Sequence, residues 1–116
     1  MKAAWLAVMA VLGGCSRVAD IEKTPETMSV ISGKSPKEYA SCFVAHLSDS
    51  RDPSVIEKKH DGYRIIVPQK LSKDPAAVVI VDERSSGSSI KVHESMSNVP
   101  IRPGDVRQAA ESCISG

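Results

Sequence analysis

The placement of three cysteines is the feature that most constrains what this chain of 116 residues can fold into. Cys15 directly follows an apolar N-terminal run, whereas Cys42 and Cys113 lie near the two ends of the sequence that remains. Three cysteines cannot all pair within one chain, so at least one of them must serve another purpose. The sequence around each cysteine indicates that Cys15 is the one that stands apart.

Residues 1–15 have the pattern of an export signal. Lys2 supplies a positive charge, and the ten residues from Ala3 to Leu12 are uncharged and apolar. A helix that crosses a bilayer needs about 20 apolar residues, so this run is too short for an ordinary membrane span. Its length and its flanking residues are typical of the central region of a secretory signal peptide.

The string Leu12-Gly13-Gly14-Cys15 resembles the lipobox of bacterial lipoproteins. The resemblance implies that residues 1–14 are removed and that Cys15 becomes an acylated N-terminus that anchors the protein in a lipid bilayer. In enterobacterial lipoproteins, Asp directly after the cysteine favours retention in the inner membrane. Ser16 occupies this position here. The resemblance therefore implies the outer membrane, with the protein facing the periplasm. The resemblance covers residues 1–16 and transfers no site to the rest of the chain. The alternative is a soluble protein with an apolar N-terminal helix and an incidental cysteine.

The sequence from 16 to 34 shows no stable hydrophobic period and contains Pro25 and Gly33. This composition predicts a flexible tether with a root-mean-square reach of roughly 25 Å. Together with the acylated cysteine that the resemblance implies, the tether makes up residues 15–34. The alternative is that Met28, Val30 and Ile31 form a short edge strand of the domain that follows.

Residues 35–116 are predicted to form one small α+β domain with a helix at each end. Ser35-Pro36-Lys37-Glu38 is a strong helix start, because Ser35 can cap the helix and Pro36 suits its first position. The string Pro103-Gly104-Asp105 opens the last helix. Between them the sequence predicts an antiparallel meander of three strong strands and one weaker one, at residues 55–60, 63–67, 76–81 and 90–93.

Cys42 and Cys113 fall on the apolar faces of the two predicted helices. If both helices pack on one face of the sheet, these cysteines can approach each other. In an exported protein this arrangement predicts a disulfide that joins the two ends of the domain. The alternative is a pair of free, buried thiols.

No pattern for metal binding is evident. His46, His60 and His93 form no His-x-x-x-His pair, and the chain has no Cys-x-x-Cys motif. A zinc site needs three or four ligands at recognisable spacing, so neither a metal site nor a cofactor is expected.

Catalytic patterns are also weak. Ser88 and Lys91 match Ser-x-x-Lys, but they lie on a predicted strand rather than on the helix that this motif requires. Asp82 and Glu83 are adjacent, and neighbours in a strand point to opposite faces, so they cannot flank one substrate bond. The chain is therefore predicted not to be an enzyme.

The charge of the chain argues against nucleic acid as a partner. The formal net charge is +1, and removal of residues 1–14 takes away only Lys2, which leaves 14 basic and 14 acidic residues. Only three aromatic side chains then remain, too few for a base-stacking platform. A balanced charge and few aromatic residues therefore argue against nucleic acid and sugars as ligands.

One stretch of the predicted sheet is apolar on both faces. If Ile65 faces the helices, Ile66 faces away and joins Val78 and Ile80 in a possible interaction surface. The alternative is that the tether or loops cover this central strand. We expect a non-catalytic outer-membrane lipoprotein that binds another envelope protein, with self-association or a small periplasmic inhibitor or immunity-type protein as alternatives.

Overall fold

The computed structural model describes residues 18–70, 74–95 and 104–115. The segment that carries the predicted signal peptide and Cys15 lies outside these residues. No helix within the described ranges is long and apolar enough to cross a membrane. After a helical stretch at residues 18–22, the elements in chain order are β1 Met28–Ser32, α1 Pro36–Leu47, β2 Val55–Lys59, β3 Gly62–Pro68, β4 Pro75–Arg84, β5 Gly87–Glu94 and α2 Asp105–Ser112.

The α+β class and the helices at both ends of the domain are confirmed. The described strands form one sheet in the order β1-β5-β4-β3-β2, in which every neighbouring pair is antiparallel. Strands β2 to β5 are the predicted meander. The sheet has five strands, where three or four were predicted. The additional strand is β1, which pairs with β5 at the far edge.

Strand β1 shortens the segment that was predicted to be a tether. Residues 28–32 pair with β5 from Met28 opposite Val92 to Ser32 opposite Ser88. The edge-strand alternative therefore describes these residues, and the prediction of a flexible tether is wrong for them. The partner strand lies about 60 residues further along the chain, so no local pattern in the tether sequence reveals the pairing.

Both helices share one core with the inner face of the sheet. The connection β1-α1-β2 starts at one sheet edge and ends at the other, which carries α1 across this face. Tyr39 and Phe43 of α1 are completely buried, and Tyr39 Oη donates a hydrogen bond of 2.6 Å to the carbonyl oxygen of Ala110 in α2. The buried core cluster also includes Ile65, Val67, Val79, Val81, Ile90, Val92, Val106 and Ala109.

The termini of the helices follow the local sequence. Ser35 caps α1 by accepting a hydrogen bond of 3.3 Å from the backbone N–H of Glu38, as predicted. Helix α2 follows Gly104, which offers no side chain for a cap, and ends at Ser112, with Cys113 as its C-cap residue. The predicted disulfide between Cys42 and Cys113 is confirmed, with the two Cα atoms 5.8 Å apart.

Candidate protein-binding surface

The three residues predicted to form an apolar surface have different exposures. Ile66, Val78 and Ile80 all lie on the face of the sheet opposite the helices, here called the outer face. Ile66 and Ile80 are half-buried, whereas Val78 is completely buried. Val78 is therefore not accessible to a partner in this structure, and the three side chains do not form one exposed patch.

Residues 18–27, here called the N-terminal strap, account for this difference. Ile21 is only 7% exposed, and Glu22 forms an ion pair with Arg64 of β3 on the outer face. Further along the strap, the carbonyl oxygen of Thr24 lies 2.9 Å from His93 Nδ1 of β5. The strap thus contacts the strands on both sides of β4, and the buried Val78 lies between these two contacts.

Arg64 links the strap to the edge of the sheet. Its guanidinium also lies 3.3 Å from a carboxylate oxygen of Glu57 in β2. Partial burial lowers the pKa of Arg64, but the hydrogen bonds and charges of Glu22 and Glu57 outweigh this effect and raise it. Arg64 is therefore committed to two carboxylates and is not a free basic group.

An open apolar groove of about 490 Å³ remains at the β2 side of the outer face. Val55 of β2 is 55% exposed, and the next residue, Ile56, is 44% exposed on the opposite face of the strand. The groove is lined by Asp52, Pro53, Val55, Ile66 and Pro68. Ile66 is the residue of the predicted surface that lines this groove.

A buried arginine fixes the rim of this groove. Arg51 precedes the lining residues Asp52 and Pro53, and its Nη1 donates a hydrogen bond of 2.8 Å to the carbonyl oxygen of Pro68. Its Nε and Nη2 each donate a 2.8 Å hydrogen bond to Asp105 at the start of α2. Hydrogen bonds from Arg51 hold the pKa of Asp105 at about 2, against a smaller effect of burial in the other direction.

The other end of β2 is basic. Lys58, Lys59 and His60 follow one another, and Lys37 of α1 lines the same shallow depression of about 260 Å³. Lys59 Nζ lies 3.2 Å from Asp82 on the outer face. Strand β2 therefore presents an apolar half at Val55 and Ile56 and a positively charged half at Lys58.

The sheet separates Ser88 and Lys91, the two residues of the Ser-x-x-Lys match. Ser88 is completely buried and donates a hydrogen bond of 2.7 Å to the carbonyl oxygen of Lys34. Lys91, three residues later, points to the opposite face, where it approaches Glu26. Ser88 therefore serves the junction of β5 with the start of α1 and does not meet Lys91.

A cluster of potential metal ligands was missed by the sequence analysis. One donor atom each of Cys42, His46 and Cys113 lies within 4.8 Å of the other two. Cys42 and His46 are four residues apart on α1, and this spacing puts two side chains on the same face of a helix. The signal was present in the sequence, but only packing of α2 against α1 adds Cys113.

Comparison of the chain with protein-family models, with curated proteins and with solved structures finds no match.

Proposed function

We propose that this protein is a non-catalytic lipoprotein of the outer membrane, facing the periplasm, that binds an extended segment of another envelope protein along β2. The observation that carries the proposal is the apolar groove beside β2, which is an edge strand of the sheet within the described residues. Export and lipid anchoring rest on the lipobox resemblance of residues 1–16.

Strand addition is the binding mode that suits β2. Within the described chain β2 is the last strand of the sheet, so one side of its backbone has no neighbouring strand. An added strand gains main-chain hydrogen bonds from such an edge and specificity from pockets for its alternate side chains. The groove at Val55 and Ile66 provides one such pocket.

The chemistry of β2 defines the partner segment. Val55 and Ile56 would receive apolar side chains, whereas Lys58 would face an acidic one, because opposite charges in cross-strand pairs are favourable. The partner is therefore an extended segment with an apolar residue at one end and an acidic residue two to three positions away.

A second copy of the chain fits this edge less well. Two β2 strands paired antiparallel over their full length place Glu57 opposite Glu57 and Ile56 opposite Lys58. Like charges directly opposite each other destabilise a strand pair. This argument favours a different protein as the occupant of β2.

Self-association has one specific observation in its favour at the opposite edge. Strand β1, Met28–Ser32, is also an edge of the sheet and carries no charged residue, whereas charges commonly protect edges from pairing. Its Ile31 is 58% exposed. Assembly through β1 is therefore the second candidate function.

Site-specific photo-crosslinking in intact cells tests the docking proposal. A photoreactive residue at position 58 should yield one discrete adduct, and mass spectrometry should locate the adduct in an extended, apolar and acidic segment. A synthetic peptide of that segment should bind the purified full-length protein. Val55→Lys should weaken this binding by about tenfold or more, because it places a charge in the apolar groove.

Ile31→Lys is the matched control, because Ile31 and Val55 are similarly exposed and lie at opposite edges. It should leave peptide binding unchanged. Equal effects of the two substitutions, or no effect of either, would contradict docking at β2. Adducts with a second copy only, together with a dimer in light scattering that Ile31→Lys dissociates, would favour assembly through β1.

Metabolic labelling with a palmitate analogue tests the anchor separately. The full-length protein should be labelled and should fractionate with the outer membrane, whereas Cys15→Ala should be neither labelled nor membrane-bound. Labelling of Cys15→Ala would refute the lipid anchor without bearing on the β2 surface.

A further inference from the structure

We propose that the reduced form of this protein binds a thiophilic cation such as Zn²⁺ through Cys42, His46 and Cys113. The donor atoms of these three residues come from two helices and lie within 4.8 Å of one another. Thiolate and imidazole are the ligands that Zn²⁺ prefers in proteins. This site is distinct from the β2 surface and does not depend on the docking proposal.

The environment of the three side chains suits a cation at the protein surface. Cys113 is completely buried, Cys42 is half-buried and His46 is exposed. An ion held by them would have the core on one side and solvent on the other, which leaves a fourth position for water. Two thiolates would neutralise the charge of a divalent ion.

The distances require only local adjustment. In tetrahedral zinc sites the metal lies about 2.3 Å from sulfur and about 2.0 Å from nitrogen, so ligand atoms are separated by roughly 3.5–3.8 Å. The two sulfur atoms are bonded to each other in the oxidised protein and must separate, while the histidine nitrogen must approach from at most 4.8 Å. His46 is exposed and Cys42 is half-buried, so rotation of these two side chains can provide both movements without displacing the buried Cys113.

The disulfide and the metal site are mutually exclusive. An external dithiol reduces the Cys42–Cys113 disulfide by thiol–disulfide exchange, which yields two protein thiols and oxidises the dithiol to its own disulfide. Binding of Zn²⁺ then releases two protons as the thiols become thiolate ligands. The same pair of cysteines thus joins α1 to α2 covalently when oxidised and through the metal when reduced.

A Co²⁺ titration of the full-length protein tests the proposal directly. The protein carries Cys15→Ser, so that Cys42 and Cys113 are its only thiols, and is kept in detergent with a phosphine reductant. Co²⁺ should give sulfur-to-metal charge-transfer absorption and the visible bands of tetrahedral coordination at one equivalent, and Zn²⁺ should displace it. The oxidised protein should show none of these bands.

His46→Ala should weaken Zn²⁺ binding by about 100-fold or more, because loss of an outer-shell partner alone costs roughly 10- to 100-fold, whereas His60→Ala should have no effect. His60 is a suitable control because its side chain is 97% exposed on a turn between β2 and β3. Equal affinities of the two variants, or equal binding by the oxidised protein, would overturn the proposal.

Reduction of the disulfide could unfold the chain, and circular dichroism then provides a second measurement of metal binding. In that case Zn²⁺ should restore the helical signal of the reduced protein and of His60→Ala at equal concentration. His46→Ala should require more metal to recover the same signal. Recovery that is independent of His46 would also overturn the proposal.

Discussion

At the scale of single residues, Arg51 connects three parts of the fold that are distant in sequence. Its side chain is only 3% exposed, and it bonds both Asp105 and the carbonyl oxygen of Pro68. A buried guanidinium without a carboxylate partner is costly, so Asp105 is required where Arg51 is buried. The pair holds the start of α2 beside the groove that we propose as a docking site.

Stability should fall in acid because of this pair. The pKa of Asp105 is lowered from 3.8 to about 2 in the folded protein, mainly by hydrogen bonds from Arg51. Because the folded state binds this proton less readily than the unfolded chain, the stabilisation is complete above pH 4 and is lost as the pH falls towards 2. The loss should be about 1–2 kcal/mol in urea unfolding, reduced from the full linkage value by partial solvent screening.

Asp105→Asn should remove this pH dependence and lower the stability at pH 7 by about 3 kcal/mol, because Arg51 then remains buried without a counter-charge. Asp49→Asn is a suitable control, since Asp49 is exposed at the end of α1. An unchanged acid limb in the unfolding curves of Asp105→Asn would assign the loss to other carboxylates.

At the scale of elements, the sequence predicts those that local interactions stabilise. It does not predict those that depend on contacts with distant parts of the chain. Helix α1 is predicted because its capping residues Ser35 and Glu38 are three positions apart and interact with each other. Strand β1 was only the alternative to a tether and the N-terminal strap is not predicted, because β5 stabilises β1 and because Arg64 and His93 anchor the strap. Their sequences carry no signal of these distant partners.

The candidate site divides in the same way. Ile66 was predicted from alternation in β3, and it does line the groove. Pro53 and Val55 were missed, because their approach to Ile66 depends on the pairing of β2 with β3 and on the path of the chain after α1. The cysteine and histidine cluster required the packing of α2 on α1, which only the disulfide prediction anticipated.

The strap should detach if its buried side chain becomes charged. Ile21→Asp should weaken packing of residues 18–27 on the outer face by about 2 kcal/mol, which raises the detached population roughly 30-fold. Limited trypsin digestion should then cleave after Lys23, which is exposed, at a correspondingly higher rate.

Ile31→Asp serves as the control for the strap, since Ile31 is 58% exposed and its substitution buries no charge. Cleavage after Lys23 at the same rate in the two variants and in the unmodified protein would show that Ile21 does not hold the strap in place.

At the scale of the whole molecule, the Cys42–Cys113 disulfide closes a loop of 71 residues that contains most of the sheet. The core it supports is aliphatic, with Tyr39 and Phe43 as its fully buried aromatic residues. A cross-link of this span restricts the unfolded chain by about 4 kcal/mol in the chain-entropy model. Such a contribution is a large part of the stability of a small domain.

Cys42→Ser and Cys113→Ser should each lower the free energy of unfolding by about 4 kcal/mol, and the double variant should be little worse than either. Both single substitutions break the same bond, so their effects should not add. Urea unfolding of the monomeric proteins under non-reducing conditions provides the measurement. A double variant that loses the sum of the two single effects would show that each cysteine stabilises the fold independently.

The strap also sets how far from a membrane this protein can work, if Cys15 is acylated. Only residues 16 and 17 separate Cys15 from the first described residue, and three Cα–Cα steps span at most about 11 Å. The sheet is then held close to the lipid headgroups and is not separated from them by a long flexible linker. Its β2 edge could meet only those partners that themselves come within one domain's width of the bilayer.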